Sequence, residues 1–379
     1  MDKSVEMRND MLNRWESYVM YHKPEELKDF WVEFYKEKPQ SKILFLLGKG
    51  FDPRMNNVLE LLLRSVSGLS IDCITFDFPD GDDDHKEKKK LYKLNIQYLK
   101  DLQNQYGFDV KDIPVDSKLI WDKRISKMSL EILNMDFNSY NDIILDASSL
   151  PRSFYFNIAK ALYRKLKDDK TKNLFFAVSE NWKIDEKIKK SISNESIEPL
   201  VGFKAMSNRE SVLDRVNILI PLMGEHNLAI LNRIYNHFQP SDMFPVLPFP
   251  SKNPRRSDNL MQEYHEFFTD HHLTSAQNFT YADEQNPFEL YRKILNLMKG
   301  HRDTLQPISD HVCFGIALLT SKLLSMGALL VGIEHNNCVA IYNVSTTSYE
   351  IDDASEFEQL NKESEPFLLW ITGEAYNEN

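Results

Sequence analysis

Two short segments hold residue types that can grip an anion and move a proton: Gly48-Lys49-Gly50-Phe51-Asp52-Pro53-Arg54 and Asp146-Ala147-Ser148-Ser149-Leu150-Pro151-Arg152. Gly48 and Gly50 allow the backbone to come close to a ligand or to make a tight turn. Asp52 before Pro53, and Ser148 or Ser149 before Pro151, read as helix N-caps with proline at the first position. Each segment then places an arginine, Arg54 or Arg152, in a first helical turn. A cation is electrostatically out of place there unless an anion lies beside it. The ligand-binding candidates are therefore Gly48, Gly50, Asp52, Arg54, Ser148, Ser149 and Arg152. Asp146 is a candidate acid or ribose contact; the structural alternative is a carboxylate bonded to neighbouring backbone N–H groups. Neither segment matches a phosphate-loop signature, and no G-x-S-x-G marks a serine nucleophile.

Three further segments carry suitable groups. Leu222-Met223-Gly224-Glu225-His226-Asn227 gathers an acid and an imidazole, so Glu225 and His226 join Asp146 as candidate acid/base residues. Pro250-Ser251-Lys252-Asn253-Pro254-Arg255-Arg256 offers three cations in a proline-stiffened loop, with Arg255 the candidate for a phosphate or carboxylate. Thr320-Ser321-Lys322 repeats the pattern of a cation at a helix start, which makes Lys322 a ligand candidate. In every case a solvated or capping loop is the structural alternative. His265, His271 and His272 lack the helical spacing of a metal clamp, and no metal site is expected.

The elements that must position these loops follow one grammar. Ile43–Leu47, Ile71–Phe76, Ile143–Leu145, Leu174–Val178, Leu200–Phe203 and Val216–Ile220 are short apolar runs, and helix-like stretches separate several of them. Strands alternating with helices imply a Rossmann-like parallel α/β sheet with helices on both faces. In such a sheet the candidate loops stand at the carboxyl ends of the strands, where ligands bind. Residues 1–38 are expected as a helical extension, 39–250 as the Rossmann-like domain, and 251–379 as a helical segment plus a C-terminal α/β tail. Five prolines between Pro240 and Pro254 mark the second boundary. The acidic run Asp80 to Asp84 reads as a solvated turn ahead of a helix.

At 379 residues and 42% hydrophobic the chain can fill a sizeable core. A net charge of −11 speaks against general nucleic-acid binding, whose footprint is a basic face. Cys73, Cys313 and Cys338 are too few and scattered for a disulfide framework. The N-terminus lacks a signal-type apolar stretch, and polar residues interrupt the run Val312 to Ile333 that would otherwise suggest a membrane span. The expected setting is cytoplasmic, with no membrane association.

The Gly48–Arg54 and Asp146–Arg152 segments together resemble the Rossmann-type proteins of bacterial conflict (antiviral defence) systems, which sense or degrade nucleotides. That resemblance implies a nucleotide-like ligand and assigns no residue roles or cofactor. The expected function is binding of a nucleotide-like or phosphorylated small molecule at strand-end loops, followed by its transformation. The alternative is a non-catalytic sensing or interaction subunit of a defence complex, meeting a protein partner through the N-terminal helices.

Overall fold

The computed structural model describes residues 13–78, 85–192, 197–205, 216–273, 275–305, 312–344 and 346–376. The acidic run Asp80 to Asp84 lies outside them. In chain order the strands begin with β1 (Val19–His22), β2 (Lys42–Lys49), β3 (Ser70–Asp77), β4 (Asp109–Pro114), β5 (Asp142–Asp146), β6 (Asn173–Glu180) and β7 (Lys189–Ile192). Next come β8 (Pro199–Lys204), β9 (Val216–Leu222), β10 (Asp242–Met243), β11 (Val246–Pro248) and β12 (Thr280–Ala282). The last are β13 (Val312–Leu318), β14 (Val339–Tyr342), β15 (Thr346–Glu350) and β16 (Glu365–Thr372).

The chain forms two compact α/β units. The first takes Val19–Ser193 and Ser345–Asn379, and the second takes Met1–Tyr18 and Asn194–Val344. Most of the second unit, Asn194–Val344, is thus an insertion, entered after β7 and left before β15, and those two strands pair antiparallel. These divisions differ from the expected boundaries at 38 and 250. The reason is strand pairing: β9 joins β13 along its whole length, while β16 returns to pair with β6.

The first sheet runs β1-β16-β6-β5-β2-β3-β4. The five strands β6, β5, β2, β3 and β4 are parallel, and β16 and β1 extend the β6 side by antiparallel pairing. From β2 the chain moves outward through β3 to β4, then returns to the other side of β2 with β5 and β6. The order reverses between β2 and β5. The second sheet runs β12-β11-β9-β13-β14-β8, parallel except for β8. There the chain moves outward from β9 through β11 to β12 and returns with β13 and β14, so the same pattern recurs and the reversal lies between β9 and β13.

Each unit has its own core. In the first, Ile43, Phe45 and Leu47 on one face of β2 pack with Leu59 and Leu62 of helix Asn57–Ser65. Leu27, Trp31 and Tyr35 of helix Pro24–Lys36 join the same core. Pro24 opens that helix, but within the expected helical extension Val19–His22 is a strand, because its backbone pairs with β16. In the second unit, Leu219, Leu231, Ile234 and Phe238 form part of the core. Trp15, fully buried, meets Tyr291 edge-on at 5.2 Å, and Tyr18 stacks on Phe288 at 4.6 Å. Trp15 and Tyr18 are therefore packing residues; residues 1–12 lie outside those described.

Candidate functional site

The Gly48–Arg54 and Asp146–Arg152 loops leave β2 and β5, the two strands between which the first sheet reverses. They touch. The Ser149 hydroxyl donates to the Gly48 carbonyl oxygen at 2.5 Å. A Cβ on Gly48 would lie 2.6 Å from Leu150 Cδ2 and 3.2 Å from the Ser149 carbonyl. Glycine is favoured at 48 because the neighbouring loop packs closely against it. Gly50 is less constrained, with Ser149 O 3.5 Å from its virtual Cβ.

The cation expected to need a ligand, Arg54, is satisfied internally, and this corrects the sequence reading. Only 2% exposed, it donates from Nε and Nη2 to Asp52 at 2.9 and 2.8 Å and from Nη2 to Asp185 at 2.7 Å. Burial opposes its charge, yet Asp185 and Asp52 together hold its pKa well above the ordinary arginine value. Asp52 also caps the turn Pro53–Asn56 through the Arg54 N–H at 3.1 Å. Asn95 donates to the Gly50 and Asp52 carbonyls at 2.9 and 2.8 Å. Asn361, from helix Ala354–Asn361, donates to the Pro53 carbonyl. The loop is pinned by three separate elements before any ligand arrives.

On the second loop, Asp146 is 1% exposed. Its Oδ1 accepts from the Ser148 N–H at 2.8 Å and the Ser148 hydroxyl at 2.5 Å. Ser148 Oγ in turn accepts from the Ser179 N–H at 2.8 Å, so the carboxylate is oriented through β6. Neither serine caps the following helix: Pro151 holds the N-cap position and no side chain bonds there. Arg152 is half-buried as the first residue of helix Arg152–Leu166. Burial pushes the Tyr155 phenol up, with Arg152 and Glu180 acting on it in opposite directions.

Asp77, passed over in the sequence, ends β3 and accepts from the Tyr92 hydroxyl at 3.1 Å. The available signal was an acid at the carboxyl end of the strand after the glycine-containing loop, where doubly wound proteins hold a ribose hydroxyl. Lys49, at the end of β2, reaches past β3 to pair with Asp112 of β4 at 2.6 Å.

The remaining candidates, Glu225, His226, Arg255 and Lys322, belong to the second unit. The candidate loops are thus divided between two sheets, each with its own strand-end loops. Glu225 and His226 follow β9, and Lys322 opens the helix Lys322–Glu334 after β13. Gly224 is tightly enclosed, since a Cβ would lie 2.0 Å from the Leu319 carbonyl. His226 is exposed with φ 60°, a left-handed conformation unusual for a non-glycine residue. Arg255 is exposed, and its neighbour Arg256 makes the ordered contacts. Arg256 Nε and Nη2 donate to the two Glu225 oxygens at 2.7 Å each, and Nη1 donates to Glu284. Burial raises the Glu225 pKa, but Arg256 outweighs it and the carboxyl is held below its usual range.

Among the described residues no group of three His, Cys, Asp or Glu side chains is arranged to hold a metal. Among the same residues no helix is long and apolar enough to cross a membrane. No family model matches the chain, and no curated protein matches it. Solved structures match the chain only at low similarity. An S-adenosylmethionine-dependent methyltransferase from Clostridium acetobutylicum is 13% identical, with a TM-score of 0.24, covering 51% of this chain and 65% of its own. A NadR protein in complex with NR is 9% identical with a TM-score of 0.24, over 80% and 92% of the two chains. A UDP-GlcNAc 2-epimerase from Methanocaldococcus jannaschii is 10% identical with a TM-score of 0.20, over 85% and 98%.

Proposed function

We propose that the first unit binds a nucleotide-like or phosphorylated small molecule between the β2 and β5 loops and transforms it. The observation that carries this reading is topological. Both loops singled out for their chemistry leave the two strands between which the sheet order reverses, the place where open α/β sheets bind ligands. Ser149, Arg152 and the Gly50 backbone hold anionic oxygens, and Asp77 takes the ribose hydroxyls. Asp146, oriented by Ser148, is the acid/base group. Arg54, Asp52 and Asn95 hold the glycine loop in place. Glu225 and His226 lie in the second unit.

A second reading is favoured by Asn361, which ties the glycine loop to a helix near the end of the chain. A ligand that shifts the loop would report its presence there. The chain would then be a ligand sensor, in the setting of its resemblance a subunit of a bacterial defence complex. One experiment addresses both readings: a thermal-shift panel of nucleotides, dinucleotides and sugar phosphates, followed by chromatography of each stabilising compound after incubation. Stabilisation with a new product supports transformation, and stabilisation with the compound recovered intact supports sensing. No stabilisation by any member of the panel would sink both.

A further inference from the structure

The inserted unit has a strand-order reversal of its own, between β9 and β13. The register places a shelf beside it. Val246 of β11 is level with Leu222, the last residue of β9. Leu247 and Pro248, with their β12 partners Tyr281 and Ala282, therefore run on past the carboxyl end of β9. This shelf carries two large rings in solvent: Phe249 is 54% and Tyr281 43% exposed, with centroids 6.1 Å apart, edge to face. Isolated exposed apolar residues are ordinary, but adjacent exposed rings at a strand end point to a contact surface.

Tyr281 also lines a cavity of about 360 Å3 with Met261, His265, Phe268, Thr269 and Phe279. The loop that follows Phe249 carries Lys252 and Arg255, both exposed. It is fastened to the end of β12, since the Lys252 N–H donates to Glu284 Oε2 and the Glu284 N–H to the Pro250 carbonyl, both at 3.0 Å. Aromatic faces next to a cationic loop suit a ligand with a planar ring and an anionic group. A nucleobase stacks on such rings whatever its sequence identity, and arginine or lysine takes the phosphate. A protein partner fits less well, because stable interfaces need roughly 800 Å2 on each side.

We propose that the inserted unit binds a mononucleotide of its own, its base against Tyr281 and Phe249 and its phosphate toward the Lys252–Arg255 loop. This second site is independent of the one in the first unit, and the test separates them. Titration calorimetry of the full chain with AMP, adenosine and inorganic phosphate is run on the wild type, on Phe249→Ala/Tyr281→Ala, and on Arg152→Ala. Loss of base stacking should weaken AMP and adenosine binding roughly ten- to a hundredfold in the double variant, while Arg152→Ala leaves that component unchanged. Both rings are exposed, so melting temperatures should match the wild type; Phe249→Ala alone serves as the milder control. AMP binding that is absent from the wild type, or unchanged in the double variant, overturns the second site. Binding lost only in Arg152→Ala overturns it while supporting the site in the first unit, and the reverse pattern does the opposite.

Discussion

Asn361 and Pro53 are joined by a 2.8 Å hydrogen bond from the Asn361 side-chain amide to the Pro53 carbonyl oxygen, across most of the length of the sequence. Asn361 also bonds Asn57 at 2.8 Å, so one amide fixes both the turn after β2 and the helix beyond it. On the other flank, Arg54 ties Asp52 to Asp185. Replacing Arg54 by Met should lower stability by about 3 kcal/mol, because it strips two carboxylates of their buried counter-charge. Asn361→Ala should cost only about 1 kcal/mol, the worth of an ordinary hydrogen bond. Urea denaturation of both variants measures the order; equal losses would contradict the account of Arg54 as a clamp.

The two enclosed glycines differ in what surrounds them. The Cβ of Gly48→Ala would meet the tip of Leu150, a side chain that can turn away, whereas Gly224→Ala would drive into the Leu319 carbonyl. Overpacking typically costs about 1–3 kcal/mol, so Gly48→Ala should sit at the low end and Gly224→Ala at or beyond the high end. Thermal melts of the two variants decide it, and a more damaging Gly48→Ala would overturn the ranking.

Arg152 and Ser149 should separate binding from folding. Arg152→Ala should weaken an anionic ligand by roughly ten- to a hundredfold, the loss of a charge-assisted contact of about 1.5–3 kcal/mol. Ser149→Ala removes the bond to Gly48 and should cost about 1 kcal/mol of stability, with a smaller change in affinity. Titration of a phosphorylated ligand against both variants, alongside their melting curves, tests the division. Equal effects on affinity would argue against Arg152 as the anion contact.

Asp142 supplies a pH dependence. Burial is the main cause that pushes its carboxyl up to about 6, against the bond it accepts from Asn173 at 2.8 Å. A carboxyl that ionises at higher pH in the folded than in the unfolded chain favours folding while protonated. Its stabilising effect is therefore complete below about pH 4 and is lost as pH rises toward 6. Asp142→Asn should accordingly raise stability at pH 7 by about 2 kcal/mol and make no difference at pH 4. Denaturation curves at the two pH values check the sign.

Much of the first sheet was legible because β2, β3, β5 and β6 are runs of apolar, often β-branched residues that only a buried parallel strand explains. β4 was not, since Asp109–Pro114 lies at the edge with most side chains in water and carries no apolar pattern. β1 was hidden because its pairing partner, β16, lies more than three hundred residues away. The same non-local pairing concealed the insertion: nothing in Val216–Leu222 says that its neighbour is β13 rather than β6. At the candidate sites, loop positions were readable and side-chain partners were not. The Arg54 anomaly had a local answer in Asp52 and a distant one in Asp185. Arg255 and Arg256 are one residue apart, yet only the second turns toward Glu225 and Glu284.

The insertion between β7 and β15 also sets an order of events during synthesis. β6 is made well before β16, the strand that flanks it in the sheet, and the inserted segment 194–344 emerges between them. Until β16 arrives, one long side of β6 is an open edge, able to pair with another nascent chain. The inserted unit's sheet needs no strand made after β14, so it can assemble while the first unit is still waiting. The first unit must close over a long loop, a slow step for a sheet built from distant segments. Its folding is tied to β16, a strand made only after the inserted segment, and expression at reduced temperature or with a chaperone that shields strand edges should raise its yield more than any change within that segment.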